Sequence, residues 1–132
     1  MILLDTQVWV WWTEGGEKLS ERHRQIIDTG EAEGIAACAF SVWEVAMLVS
    51  KKRLSCGSRF SSGLTELCGS RRYTSSLRVH KSCSIQRDCR VSFHKDPADR
   101  IIVATARAHS SPLLTTDEKI LAYGHVQSVG PT

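Results

Sequence analysis

The sequence predicts an α/β domain on a parallel sheet, and three observations carry that reading. Short apolar runs at 1–4, 34–40 and 113–114 alternate with stretches of helical character. The chain has 132 residues, which suits a single domain with one core. Acidic residues stand just after the apolar runs or in the first turn of the helix that follows, at the edge where open parallel sheets place their chemistry.

The elements follow in order. Met1 to Leu4 reads as a buried first strand that ends on Asp5, and Thr6 can cap the next helix. Val8, Trp9, Trp11 and Trp12 make that helix strongly apolar, and Gly15-Gly16 ends it. Core packing, or a groove for a partner protein, is the plain use of these tryptophans. Base stacking with single-stranded nucleic acid is the sharper one. Residues 18–29 are polar with Leu19, Ile26 and Ile27 as apolar contacts, a surface helix. Residues 34–40 form the second strand. Ser41-Val42-Trp43-Glu44 opens a helix that runs through Val45, Leu48 and Val49 to Lys51-Lys52-Arg53. Cations at a helix C-terminus are favoured by the dipole, and an RNA-backbone contact is the alternative reading of that triplet.

Residues 55–92 differ in kind. They hold Cys56, Cys68, Cys83 and Cys89, four of the five cysteines, and are rich in serine and arginine. Apart from a short helix around 64–67, no sustained period of 3.6 or 2 runs through them, so a third strand is not legible there. A structureless loop of this length is uncommon inside a compact domain. The abrupt change of composition at both borders is what two compensating frameshifts would leave.

The pattern becomes coherent again near Phe93. Asp96 caps a helix and Pro97 suits its first position, where an N–H would be orphaned anyway. Ala98, Ile101, Ile102, Thr105 and Ala108 recur at helical spacing and define its buried face, with Arg100 and Arg107 outside it. Ser110, Ser111 and Pro112 end the helix. Leu113-Leu114 is a short buried strand, and the turn after it delivers Asp117. Residues 125–129 add a last strand.

Composition narrows the function classes. A net charge of +3 permits a nucleic-acid partner without proving one. No apolar run approaches the roughly 20 residues of a membrane span. The start of the chain lacks a basic segment and a small-residue cleavage site, so a cytoplasmic protein with reduced thiols is expected. His23, His80, His94, His109 and His125 are scattered and give a zinc site little support. No Gly-rich phosphate loop of the Walker type is present.

Asp5, Glu44, Asp99 and Asp117 then stand at equivalent places. If the strands are parallel, these carboxylates converge on one edge from points far apart in the chain. Without a counter-charge they would raise one another's pKa. A hard divalent cation, Mg²⁺ or Mn²⁺, resolves the repulsion, because all-oxygen ligation suits it better than zinc. Such an ion lowers the pKa of water and offsets charge on a phosphoryl oxygen, the chemistry of a phosphodiesterase. Each acid also has a structural reading. Ser41-x-x-Glu44 fits a capping box, Asp96 and Asp99 suit a helix N-terminus, and Asp117 can cap the last helix.

Four stretches resemble the PIN domain family, specifically the VapC-type toxin ribonucleases. They are Met1-Ile-Leu-Leu-Asp-Thr-Gln-Val-Trp, Ser41-Val-Trp-Glu-Val-Ala, Asp96-Pro-Ala-Asp-Arg-Ile-Ile-Val-Ala-Thr-Ala and Leu113-Leu-Thr-Thr-Asp. The resemblance covers residues 1–54 and 93–129 and implies one domain over 1–132, with 55–92 atypical. It implies a three-layer α/β/α sandwich on a mainly parallel sheet. It maps the catalytic and metal-holding acids to Asp5, Glu44, Asp99 and Asp117, with Thr6, Ser41 and Thr115 as supporting hydroxyls and Asp96 as an auxiliary acid. The implied activity is Mg²⁺- or Mn²⁺-dependent endonucleolytic cleavage of RNA. The implied partners are a cognate VapB-type antitoxin and a second copy of the chain, giving a homodimer. Arg100, Lys119, Lys51, Lys52 and Arg53 are candidates to hold the RNA backbone.

Two rivals differ in class. A phosphatase of the haloacid dehalogenase type also begins with an acid after its first strand, but it needs a second Asp where Gln7 stands. A non-catalytic PIN-like module would dock a partner helix on the apolar Trp9–Trp12 region and bind no metal.

Overall fold

The computed structural model describes residues 1–30, 33–51, 77–80 and 96–132, the stretch 77–80 by its backbone alone. The order is β1 (Ile2–Leu4), α1 (Thr6–Thr13), α2 (Glu21–Gly30), β2 (Ile35–Cys38), α3 (Ala39–Ser50), β3 (Leu77–His80), α4 (Pro97–Ala108), β4 (Leu113–Leu114), α5 (Glu118–Leu121) and β5 (Ser128–Val129). The strands form one sheet in the order β3-β2-β1-β4-β5, and every pairing is parallel.

Period-two alternation along each strand divides the core into two halves. Ile2, Leu4, Ile35, Ala37 and Leu114 pack with Val8, Trp9 and Val10 of α1, Leu19, Ile27 of α2 and Val45 of α3. Leu3, Ala36, Cys38 and Leu113 pack on the other side with Ile102, Val103 and Ala106 of α4, Ile120 of α5 and Tyr123. Helices therefore cover both faces, giving the α/β/α sandwich. β1, β2 and β4 read as continuous apolar runs because neither of their faces meets water.

The apolar first helix is a core element. Trp9 and Val10 are buried, and Trp11 and Trp12 are half-buried against the same cluster. That leaves little of the Trp9–Trp12 region for a partner helix. Gly15 and Gly16 end α1 with positive φ, a conformation that residues with a Cβ rarely adopt. On α2 the buried His23 lies with Nε2 3.0 Å from the Val129 carbonyl, which ties that helix to β5.

Several boundaries differ from expectation. Thr6 is the first residue of α1, and Asp5 takes the cap position with no capping hydrogen bond from its side chain. β2 ends at Cys38, and α3 starts at Ala39, ahead of Ser41. The β1 ladder reaches Ala37 and the β3 ladder Cys38, so the next residues have no strand beside them and coil into helix. On α4, Ala108 is exposed while Val103, Ala104 and Ala106 are buried. That helix touches β2 and α3 at once, which widens its covered face beyond a single stripe.

A strand also occurs where none was legible: β3 pairs with β2 over Leu77–His80. Its alternation, Leu77-Arg78-Val79-His80, is too short to register as a period, and a backbone ladder does not require one. The rest of 55–92, with the helix expected around 64–67, four of the cysteines, and Lys52 and Arg53, lies outside the described residues. The fifth cysteine, Cys38, is a buried free thiol.

Candidate active site

The parallel registers bring the ends of β1, β2 and β4 to one rim. Leu4 pairs with both Ala37 and Leu114, and the Asp5 N–H donates to the Leu114 carbonyl at 3.0 Å. Asp5 thus stands level with the turn that carries Thr115 to Asp117. α3 leaves β2 at the same rim, with Glu44 in its second turn, and α4 presents Asp96 and Asp99 at its N-terminus. A cleft of about 560 Å³ lies among them, and Asp5, Glu44, Asp96, Asp99 and Asp117 all line it.

Asp5 is buried. Its Oδ2 accepts a hydrogen bond of 2.6 Å from the Thr115 hydroxyl, and that hydroxyl oxygen accepts the Asp117 N–H at 3.1 Å. Burial pushes the Asp5 carboxyl above the usual carboxylate range. The Thr115 hydroxyl and the Thr6 N–H pull it back in part, and the Asp117 charge adds to the rise. Glu44 is half-buried, and its Oε2 accepts the Thr6 hydroxyl at 2.8 Å. Burial raises its pKa too; the Thr6 hydroxyl opposes this, and Asp5 and Asp96 add to it. Among the described residues no cation bears on either carboxyl.

The capping readings divide the acids. The Ser41–Glu44 box is absent, because Cys38 holds the cap position of α3 and the Glu44 carboxylate is turned to Thr6. Asp96 does cap α4, accepting the Ala98 N–H at 2.9 Å beside Pro97. Asp117 caps α5, accepting the Lys119 N–H at 2.7 Å. Asp99 is half-buried in the first turn of α4.

The supporting hydroxyls are placed differently from one another. Thr6 lines the cleft, and Thr115 lies buried beneath Asp5. Ser41 is buried away from the cleft lining, and its hydroxyl has no hydrogen-bond partner among the described residues. Of the candidate RNA-holding cations, the three that are described do not line the cleft. Arg100 is half-buried on α4, Lys119 is exposed on α5 and Lys51 is exposed at the end of α3.

Sequence reasoning missed an apolar wall made by Val10, Leu48, Ala98 and Ile102, with Gln7 and Thr116 at its margin. Helical spacing could have found part of it, since Val10 lies four residues beyond Thr6 and Leu48 four beyond Glu44.

Carboxylates and hydroxyls form an all-oxygen donor set that suits a hard divalent cation. Among the described residues no three His, Cys, Asp or Glu side chains gather tightly enough to hold an ion unaided.

The described residues thus form a parallel sheet between two helical layers, with five carboxylates lining one cleft at its carboxyl rim. The chain belongs to the PIN domain family, which it matches over residues 2–126. It is 30% identical to Ribonuclease VapC22 of Mycobacterium tuberculosis over 128 residues, 97% of this chain and 95% of that protein. In fold it is similar to FitAcB from Neisseria gonorrhoeae, with a TM-score of 0.68 and 24% identity over 99% of this chain and 98% of that one. It is also similar to VapBC2 from Rickettsia felis, solved with a DNA fragment from their promoter, with a TM-score of 0.67 and 14% identity over 98% of each chain. No helix among the described residues is long and apolar enough to cross a membrane.

Proposed function

We propose that the protein is a Mg²⁺- or Mn²⁺-dependent endoribonuclease and the toxin of a VapBC-type toxin–antitoxin pair. One observation carries the metal-dependent part. Asp5 and Glu44 are held in a cleft where burial and neighbouring negative charge both oppose their ionisation, and among the described residues no cation offsets this. A fold gains nothing from such an arrangement unless a cation enters it.

Asp5 and Glu44 would hold the ion, with Asp99 and Asp117 reaching it directly or through water. When bound, the ion offsets charge on a phosphoryl oxygen and lowers the pKa of water beside it. The residues of the chain set the geometry. Thr115 fixes Asp5, Thr6 fixes Glu44, and the apolar wall of Val10, Leu48 and Ile102 gives ribose or base a dry surface beside the acids. The likeness to Ribonuclease VapC22 supports RNA as substrate, and a cytoplasmic site of action goes with that reading. The likeness to VapBC2 supports a VapB-type antitoxin as partner. A second copy of the chain completes the assembly as a homodimer, the part that rests on the family resemblance.

The test is cleavage of a mixed-sequence RNA by the purified chain, with Mn²⁺ and with a chelator in its place. Cleavage that needs the ion is expected, together with heat from Mn²⁺ binding in calorimetry. Equal cleavage under chelation would remove the metal, and no cleavage with no Mn²⁺ binding would leave a non-catalytic module.

A further inference from the structure

α3 has almost no polar face. Ser41, Glu44 and Ser50 are its polar residues, yet only Ser41 and Val45 are buried. A surface helix normally turns a charged or polar face to solvent. Here the outward residue is Trp43, 56% exposed, the large apolar side chain left open among the described residues. The other tryptophans are placed differently. Trp9 is buried, and Trp11 and Trp12 pack half-buried on the core.

Trp43 belongs to a stripe that borders the cleft. At about 3.6 residues per turn, Trp43, Met47, Phe40 and Lys51 succeed one another around the helix, and Glu44 and Leu48 come next. Glu44 and Leu48 line the cleft, so the stripe runs along its edge. Phe40 is half-buried against the core and steadies the Trp43 ring, with centroids 5.3 Å apart and planes tilted by 42°. Lys51 is exposed at the other end, about 12 Å further along the helix axis.

We propose that Trp43 is a stacking platform for an unpaired RNA base beside the cleft, with Lys51 meeting a phosphate of the same strand. An aromatic face for a base and a cation for the backbone, on one stripe, is what a single strand needs. The stripe is also continuous with the cleft. A strand whose phosphodiester is held among the acids leaves over the rim, and α3 forms that rim on the Glu44 side. A duplex keeps its bases stacked on one another and offers Trp43 none. This rests on the RNA-cleaving reading above and deepens it by naming where the strand runs.

The experiment measures binding of a labelled oligouridylate by anisotropy, in chelator so that the strand stays whole. It uses the full chain, Trp43→Ala, Trp43→Phe and Lys51→Ala, with circular dichroism to confirm folding. Trp43→Ala is expected to weaken binding about tenfold, within what one base–aromatic stack is worth. Trp43→Phe keeps a ring and stays within a few-fold of the parent. An oligomer of abasic spacers of the same length binds the parent and Trp43→Ala equally, whereas Lys51→Ala weakens both oligomers. Oligouridylate also quenches the tryptophan emission of the parent, and Trp43→Phe loses that quenching. Trp43→Leu carries the comparison if Trp43→Ala does not fold. Parent-like affinity in Trp43→Ala overturns the platform and leaves the ribonuclease reading standing. An equal loss for the abasic oligomer overturns it too, since no base would then be involved. If sedimentation shows a dimer that Trp43→Ala splits with RNA affinity unchanged, the stripe belongs to a second copy and the proposal falls. A parent chain that binds no oligouridylate takes down the platform and RNA as substrate together.

Discussion

The acidic rim has two halves that use one residue type in opposite ways. Asp96 and Asp117 each accept a backbone N–H at the start of a helix, so they would earn their place in a protein with no activity at all. Asp5 and Glu44 cap nothing. They sit where burial and like charge oppose their ionisation, held by hydroxyls from Thr115 and Thr6. A carboxylate that stabilises a helix says little about chemistry. One retained against its own desolvation says a good deal, and this is the usual direction of the trade between stability and function.

Asp5→Asn breaks that contrast most forcefully. The asparagine carbonyl still accepts the Thr115 hydroxyl, so the local geometry survives while the charge is lost. Metal-dependent RNA cleavage is expected to fall by at least the roughly 10–100-fold that loss of an outer-shell partner costs a metal site. Stability moves the other way. Because burial raises the Asp5 carboxyl in the folded chain, the stability its protonated form contributes is full below the ordinary carboxylate range and is lost as pH rises through the higher folded value. Asp5→Asn has no such loss. Metal-free thermal melts should therefore show the variant gaining on the parent between acid and neutral pH. A variant that melts lower than the parent at neutral pH would place Asp5 among the stabilising acids.

Much of the fold was legible because β1, β2 and β4 are short apolar runs, and β1 and β4 each carry an acid shortly past their end. Asp5 after Ile2–Leu4 and Asp117 after Leu113-Leu114 needed only the parallel registers to meet. The capping roles of Asp96 and Asp117 were also readable, since Asp before Pro97 and before Glu118-Lys119 is local chemistry. The bond from Thr6 to Glu44 was not readable. It spans 38 residues and depends on how α1 packs on α3, which no local pattern encodes. Ser41 misled for the same reason. Its spacing to Glu44 fits a capping box, but the sheet ladder ends at Cys38 and starts the helix earlier. β3 escaped notice because an edge strand of four residues needs a neighbour's backbone more than a pattern of its own.

Asp117 sharpens the comparison because it belongs to both halves. It caps α5, its N–H holds the Thr115 hydroxyl, and its charge bears on Asp5. Asp117→Ala should lose about 1 kcal/mol of stability with the cap, and cleavage should fall as well. Asp117→Asn separates the two effects, since asparagine caps as well as aspartate does. It should melt like the parent and still cleave poorly. If both variants cleave equally well while only the alanine melts lower, Asp117 is a cap and nothing more.

Asp96 gives the smallest effect and the cleanest control. It caps the twelve-residue α4 next to Pro97, and it reaches Glu44 only through its charge, with no bond between them. Asp96→Ala should cost about 1 kcal/mol in unfolding by denaturant, while Asp96→Asn should cost close to nothing. Losing the Asp96 charge removes one cause of the raised Glu44 pKa, so neither variant should harm the ionisation of Glu44. Cleavage at neutral pH should then stay within a few-fold of the parent in Asp96→Asn. A collapse of activity there as deep as in Asp5→Asn would move Asp96 from the stabilising half of the rim into the half that holds the ion.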